Sequence, residues 1–319
     1  MYIGIDLGGT NIAAALVAED GKIIGSKVSI TTDADKGTDA VLGGLLKVCD
    51  MLVESNPAAK AEIKAVGIGV PGMMTPENGV VLFSPNIQCI NNTDITANIK
   101  AKYNVPVYIN NDANCAALGE VSAGGAVGAT DAIFVTLGTG VGGGIVIGGK
   151  IYSGFNGVAG EIGHILITLD GRECGCGRKG CWEAYASATG LVKTTKEIMA
   201  EDKSSAMWEL CEGDIENAGG RTSFDAMRKG DAAGQRAVDT YVKHLGAGIV
   251  DLINIFEPEI VCIGGGISNE GETLLAPLRA YVDSEKYTAK SDAVAQTRIT
   301  KATLGNDAGI VGAAMLGKN

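Results

Sequence analysis

The chain has 319 residues, enough for two domains of ordinary size, and its 46% hydrophobic and 20% charged content is that of a soluble globular protein with a sizeable core. A formal net charge of −11 argues against a nucleic-acid scaffold, which needs a basic patch, and leaves room for a small anion in a local pocket. No apolar run reaches the roughly 18 residues of a membrane helix, and no signal peptide precedes Tyr2-Ile3-Gly4-Ile5, so the cysteines are expected as reduced thiols of a cytoplasmic protein.

Tyr2–Leu7 reads as a strand, Gly8-Gly9-Thr10 as a tight turn and Ile12–Val17 as the returning strand. Glu19-Asp20-Gly21 turns the chain into a third strand, Lys22–Ile30. Thr38–Glu54 has helical periodicity and stops before Asn56-Pro57. Ala65–Val70 is a buried strand ended by Pro71-Gly72, Pro106–Ile109 another strand, and Asn111–Ser122 a helix with Asp112 in its first turn. The run from Ile133 through Gly138-Thr139-Gly140 to Ile147 echoes the opening strand–turn–strand, which suggests two related α/β halves. Ala237–Phe256 reads as a long helix stopped by Pro258. Then follow a strand at Glu259–Ile263, the turn Gly264-Gly265-Gly266, a helix at Glu272–Ser284, a strand at Arg298–Ala302 and a closing helix at Ala308–Leu316. Strands alternating with helices predict an α/β fold.

Gly8-Gly9-Thr10, Gly138-Thr139-Gly140 and Gly264-Gly265-Gly266 each follow an apolar strand. Glycine lets a backbone approach a phosphate closely, and exposed N–H groups there form an anion-binding concavity. A nucleotide polyphosphate spans two or three such turns. Gly138, Gly140 and Gly143 fit a dinucleotide fingerprint formally, but a strand follows where that motif needs a helix. The stretch from Gly144 to Lys150 almost fits a P-loop, yet Ile151 stands where Ser or Thr is required. Asp6, at the end of the first strand, is the candidate for Mg²⁺, through water.

Between His164 and Cys181 the sequence places Cys174, Cys176 and Cys181 with one of only two histidines. Three thiolates and one imidazole make a complete tetrahedral shell for structural zinc. Glu161 and Glu183 bracket this cluster, so the metal would fix a loop that presents acids. On the acceptor side, Asp112 is favoured as an anion by the helix dipole and is suited to take a proton from an attacking hydroxyl. Asn86, Asn111, Asp112, Glu161, His164 and Glu183 form a set of donors and acceptors suited to a polyol.

These pieces resemble the ROK family of sugar kinases, and most closely its bacterial glucokinases. The resemblance rests on Asp6 to Thr10, Val70-Pro71-Gly72, Ser84-Pro85-Asn86, Asn111 to Glu120, Leu137 to Gly144, Gly160 to His164 and Cys174 to Tyr185, and runs from residue 3 to the end. It implies an actin-like ATPase (ribonuclease H-like) fold. The expected domains are a small α/β domain of residues 1–110 with about 304–319, and a large one of 111–303 carrying the zinc loop. It implies Asp112 as catalytic base and sugar contacts from Gly72, Asn86, Asn111, Asp112, Glu161, His164 and Glu183, with His164 giving one ring nitrogen to sugar and one to zinc. Nucleotide contacts are expected from Asp6, Gly8, Gly9, Thr10, Asn11 and the turns at Gly138–Gly140 and Gly264–Gly266. Asn11 departs from the family, where many relatives carry Lys, and the winged-helix domain of the family's repressors is not expected before Tyr2. The expected activity is ATP-dependent phosphorylation of glucose at O6 by a homodimer or homotetramer. The alternatives are another hexose (fructose, allose, N-acetylmannosamine or N-acetylglucosamine) and a non-catalytic sugar sensor.

Overall fold

Short apolar runs ended by glycine turns form strands, and the amphipathic runs between them form helices, in the computed structural model, which describes residues 1–75, 78–291 and 293–318. Asn319, the end of the expected return to the first domain, lies outside the described residues. The chain opens with β1 (Tyr2–Leu7), β2 (Asn11–Val17), β3 (Ile23–Thr31), α1 (Thr38–Ser55) and β4 (Ala65–Val70). Then come β5 (Met73–Thr75), β6 (Val80–Phe83), β7 (Thr93–Asp94), α2 (Ala97–Tyr103), β8 (Val107–Asn111) and α3 (Asp112–Ala123). Strands β9 (Ala132–Leu137), β10 (Val141–Ile147) and β11 (Lys150–Ile151) precede helices α4 (Glu183–Ala186), α5 (Ala188–Glu201), α6 (Met207–Leu210), α7 (Thr222–Arg228) and α8 (Ala232–Phe256). The chain closes with β12 (Ile260–Gly264), α9 (Glu272–Glu285), β13 (Arg298–Lys301) and α10 (Ala308–Met315).

One five-stranded sheet has the order β3-β2-β1-β4-β8 and the other β11-β10-β9-β12-β13, so the same plan occurs twice. In the first, β1 pairs antiparallel with β2 and parallel with β4, which sets Asp6 opposite Gly69. In the second, β10 pairs antiparallel with β11, and β12 parallel with β13. The sequence echo thus corresponds to matching strand orders. Strands β5, β6 and β7 make a small third sheet.

Compactness divides the chain into unit one, Met1–Phe134, Gly143–Gly160 and Ala302–Asn319, and unit two, Val135–Gly142 and Glu161–Lys301. The expected boundary near Asn110 groups α3 with the second domain, whereas compactness groups it with unit one. The reason lies in α10. A Cβ on Gly67 of β4 would stand 1.7 Å from the Ala313 carbonyl oxygen, and one on Gly312 would stand 1.6 Å from the Cys115 carbonyl oxygen. Only glycine lets α10 approach both the sheet and α3 this closely. Glu120 of α3, fully buried, accepts from Gly125 N (2.6 Å) and Thr303 N (3.0 Å) at one oxygen and from Leu304 N (2.9 Å) at the other. Three charge-assisted bonds keep this carboxylate from being an uncompensated buried charge. Gly312→Ala is therefore expected to destabilise the fold by about 3 kcal/mol, the upper range for overpacking, read as a lower denaturant midpoint. A midpoint equal to wild type would mean that α10 can shift without cost.

In unit one, Ile3, Ile5 and Leu7 of β1 join Ile68 and Val70 of β4 in a core covered by Val41, Leu45 and Leu52 of α1. In unit two, α8 begins at Ala232, ahead of the expected Ala237, because Asp231 caps it by accepting from Gly234 N at 2.6 Å. Its buried face includes Val238, Tyr241, Val242, Leu245, Ile249, Leu252 and Ile253, at helical spacing. Gly248 on that helix makes room for Trp182, since a Cβ there would lie 2.3 Å from the indole. No helix among the described residues is long and apolar enough to cross a membrane.

Candidate active site and zinc centre

In unit one, the β1–β2 turn is closed by Gly8 N donating to Asn11 O at 2.9 Å, and braced by the Thr32 hydroxyl donating to Gly8 O at 2.6 Å. Gly9, Thr10 and Asn11 are exposed. A Cβ on Gly9 would come 3.2 Å from Asn86 Cβ, so the turn runs beside exposed Asn86. Asn111 caps α3, its Oδ1 accepting from Ala113 N (2.9 Å) and Asn114 N (3.3 Å), while its Nδ2 donates to Gly72 O at 3.3 Å. Gly72 has φ +115, and a Cβ there would lie 2.1 Å from Phe83 O. Gly72, Asn111 and Asp112 are thus joined by one hydrogen-bonded corner, and the sequence-predicted members Asp6, Gly9, Asn86 and Asn11 lie in the same unit.

Asp112 Oδ1 accepts from its neighbour's backbone, Ala113 N, at 2.9 Å. Its side chain keeps access to solvent, yet the bulk of protein around it pushes its carboxyl above the ordinary range, against the helix-terminus bonds that lower it. Burial first, then the charge of Asp112, raises the Asp6 carboxyl to about 6. The two acids therefore feel one another across unit one. Cys115 lies near both: burial, then Asp112 and Asp6, push its thiol far up, which makes it an inert core thiol.

In unit two, Gly138 N donates to Gly140 O at 3.1 Å, and the turn is tied to the start of α5 by Ala188 N to Gly138 O (2.8 Å) and the Thr189 hydroxyl to Thr139 O (2.9 Å). Gly264 is buried as the last residue of β12, while Gly265 and Gly266 are exposed. Gly265 has φ +83, and a Cβ there would lie 2.4 Å from Leu137 O.

His164, Cys174, Cys176 and Cys181 converge, with one donor atom from each all within 4.8 Å of one another. Cys176 and Cys181 sulfurs stand 3.7 Å apart, and Cys174 Sγ stands 3.7 Å from His164 Nδ1. A tetrahedron of zinc–sulfur bonds of about 2.3 Å has edges of about 3.8 Å, so the donor set fits that ion. Nδ1 faces the cluster, which leaves Nε2 as the other ring nitrogen. Burial pushes the Cys174 thiol up to about 12, whereas the Arg178 backbone N–H pulls the exposed Cys176 thiol down. A bound cation would take all three as thiolates. Glu183 joins cluster to turn: its Oε1 lies 3.5 Å from Cys174 Sγ, and its Oε2 accepts from Val141 N at 3.0 Å. A Cβ on Gly140 would lie 2.3 Å from that same Oε2. Glu161 is exposed, and its carbonyl accepts from His164 N at 3.1 Å.

Sequence reasoning missed the anchors of this loop. Arg172 donates to the Ala184 and Gly190 carbonyls, to Thr194 and to Glu197, and stacks 4.8 Å from the Tyr185 ring. The Tyr185 hydroxyl accepts from Arg172 N at 2.6 Å, and Trp182 Nε1 donates to His244 O at 2.9 Å. Arg172 carries no local sequence signal, and Trp182 and Tyr185 enter the sequence reading only within the run Cys174 to Tyr185. His244, the second histidine, stands outside the cluster with its ring 4.8 Å from Tyr185.

Two sheets of one plan, each with glycine turns at strand ends, define the actin-like ATPase class. The chain belongs to the ROK family, which it matches over residues 2–319. It is 39% identical to a glucokinase of Thermotoga maritima, over 98% of this chain and 96% of that one. It is 37% identical to a glucokinase of Streptomyces coelicolor, over 100% and 98% of the two chains. The crystal structure of a ROK family glucokinase from Streptomyces griseus with glucose and AMPPNP aligns over 99% of this chain and 98% of that one, with a TM-score of 0.76 and 36% identity.

Proposed function

We propose that this protein transfers the γ-phosphoryl group of ATP to the O6 hydroxyl of glucose, giving glucose 6-phosphate and ADP. The observation that carries the reaction is the corner Gly72–Asn111–Asp112, where a capping asparagine fixes a carboxylate of raised pKa at the start of a helix. The choice of glucose and ATP is supported by the glucokinase relatives and by the neighbour that holds glucose and AMPPNP.

In this reading Asp112 accepts the proton of O6 as that oxygen attacks the γ-phosphorus. The residues we propose for the sugar hydroxyls are Gly72, Asn86, Asn111, Glu161, His164 and Glu183. Gly8, Gly9, Thr10 and Asn11, with the turns Gly138–Gly140 and Gly264–Gly266, receive the nucleotide. Asp6 would hold Mg²⁺ through water, and that ion supplies charge neutralisation at the β- and γ-phosphates. His164, Cys174, Cys176 and Cys181 would hold a structural zinc, which leaves His164 Nε2 for the sugar. Eight free thiols fit a reducing cytoplasm, and we expect a homodimer or homotetramer there.

The test is ADP release with Mg·ATP across a panel of hexoses. Glucose is expected to give the highest kcat/KM, by about tenfold or more over hexoses that lose one hydroxyl contact. A higher value for another hexose would keep the phosphoryl transfer and change the acceptor. No release with any sugar, from protein that still binds sugar, would leave a sensor.

A further inference from the structure

We infer that Gly309 is a positioning residue for the metal–phosphate end of this reaction: its bare Cα lets the Asp6 carboxylate lie close against α10, and a methyl group there would shift that carboxylate by a few tenths of an ångström. The inference rests on the reading of Asp6 given above. A Cβ on Gly309 would stand 3.3 Å from Asp6 Cγ, 3.3 Å from Oδ2 and 3.6 Å from Oδ1. The whole carboxylate therefore lies against this one backbone position. It is pressed there from both directions. β1, which carries Asp6, touches α10 at Gly4, where a Cβ would meet the Ile310 carbonyl oxygen at 1.9 Å. α3, which carries Asp112, touches α10 at Gly119, where a Cβ would meet the Ala308 carbonyl oxygen at 2.2 Å.

The segment leading into α10 is also held. Glu120 grips Thr303 N and Leu304 N, and Asp307 pairs with Lys27 at 2.5 Å. α10 is thus held close to β1 and α3, and the softer partner is the Asp6 side chain, which turns about its own χ angles. A rotated carboxylate presents its oxygens elsewhere, and displacements of this kind at a reacting centre cost rate steeply. Gly309 itself is an ordinary helical residue of α10, with no positive φ, so alanine suits its backbone and raises helix propensity. The substitution is therefore expected to leave folding intact while disturbing Asp6.

The experiment compares wild type, Gly309→Ala, Asp6→Asn and the double variant. Gly309→Ala is expected to weaken Mg·ADP binding, measured by calorimetry, and to lower kcat, each by about 3- to 10-fold. Its Tm and its glucose Kd should equal those of wild type. In the Asp6→Asn background, adding Gly309→Ala should cost less than about twofold more, because the group it acts through is already gone. Wild-type Mg·ADP binding in Gly309→Ala, or a loss equally large in both backgrounds, would overturn the inference. If the wild type phosphorylates no hexose yet Gly309→Ala still weakens Mg·ADP binding, the acceptor reading fails and this inference stands. If Mg·ADP binds both proteins alike while glucose is phosphorylated, the inference fails and the acceptor reading stands.

Discussion

Asp112→Asn is expected to lower kcat by about 10²- to 10⁴-fold, the range a general base contributes, while glucose Kd stays within about threefold of wild type. The amide keeps the oxygen that accepts from Ala113 N, and Asn111 keeps its cap and its bond to Gly72. The corner that would hold sugar therefore survives, and only the capacity to take a proton is removed. Calorimetry with glucose and ADP release with Mg·ATP measure the two sides. A variant within about tenfold of wild-type kcat would remove Asp112 as the base.

The pH dependence follows from the same pair. Both carboxyls are raised above the ordinary range by burial, and Asp6 is raised further by the charge of Asp112. In the proposed mechanism both act as anions, so kcat/KM, which reports the free enzyme, should fall as pH drops through about 6, where Asp6 takes up its proton. Stability runs the other way. A carboxyl raised in the folded state binds its proton more tightly there than in the unfolded chain, so the folded state loses stability as pH rises through about 6 and regains it as pH falls. Removing the Asp112 charge should lower the Asp6 pKa, so Asp112→Asn should be at least as stable as wild type at neutral pH. A less stable variant would indicate that the carboxylate has a structural task beyond proton transfer.

What the chain revealed in advance was what its local order encodes. The twin glycine turns, the helix that opens at Asn111-Asp112 and the donor set from His164 to Cys181 depend on neighbours in sequence, and the structure places each as a local unit, with Asn111 as the cap. The start of α8 was equally local, since Asp231 is a capping residue, but the apolar periodicity is clear only from Ala237 onward. What stayed hidden depends on distant backbone. Gly67, Gly312 and Gly309 look like interruptions in a strand and a helix, and their purpose appears only when α10 lies against β1, β4 and α3. Glu120 enters the sequence reading only as the end of the run from Asn111, and nothing local marks it as a buried clamp on Thr303 and Leu304. The small β5-β6-β7 sheet went unread because strands this short carry no period to detect.

Zinc is the second expected result of large effect. Metal analysis should find about one zinc per chain, and Cys181→Ser should lose it, because Cys181 is the fully buried ligand and a tetrahedral site needs all four donors. The loop should not unfold on that loss. Arg172 still ties it to α5, Trp182 remains packed against Gly248, and the Tyr185 hydroxyl still receives Arg172 N. What loosens is narrower: the His164 ring, held at Nδ1 beside Cys174, and the Glu183 carboxylate, whose Oε1 lies beside the same sulfur. Two proposed sugar contacts at about 0.5–1.5 kcal/mol each sum to about 1–3 kcal/mol, a rise of about 5- to 150-fold in KM for glucose. Glu183 Oε2 keeps its bond from Val141 N without the metal, so the turn at Gly138–Gly140 keeps its brace, and KM for Mg·ATP should move less than about threefold. The asymmetry between the two KM values is the decisive readout, since general unfolding would raise both. Equal rises would make the cluster a scaffold for unit two as a whole. Full activity in protein shown to hold no zinc would remove the metal from the account.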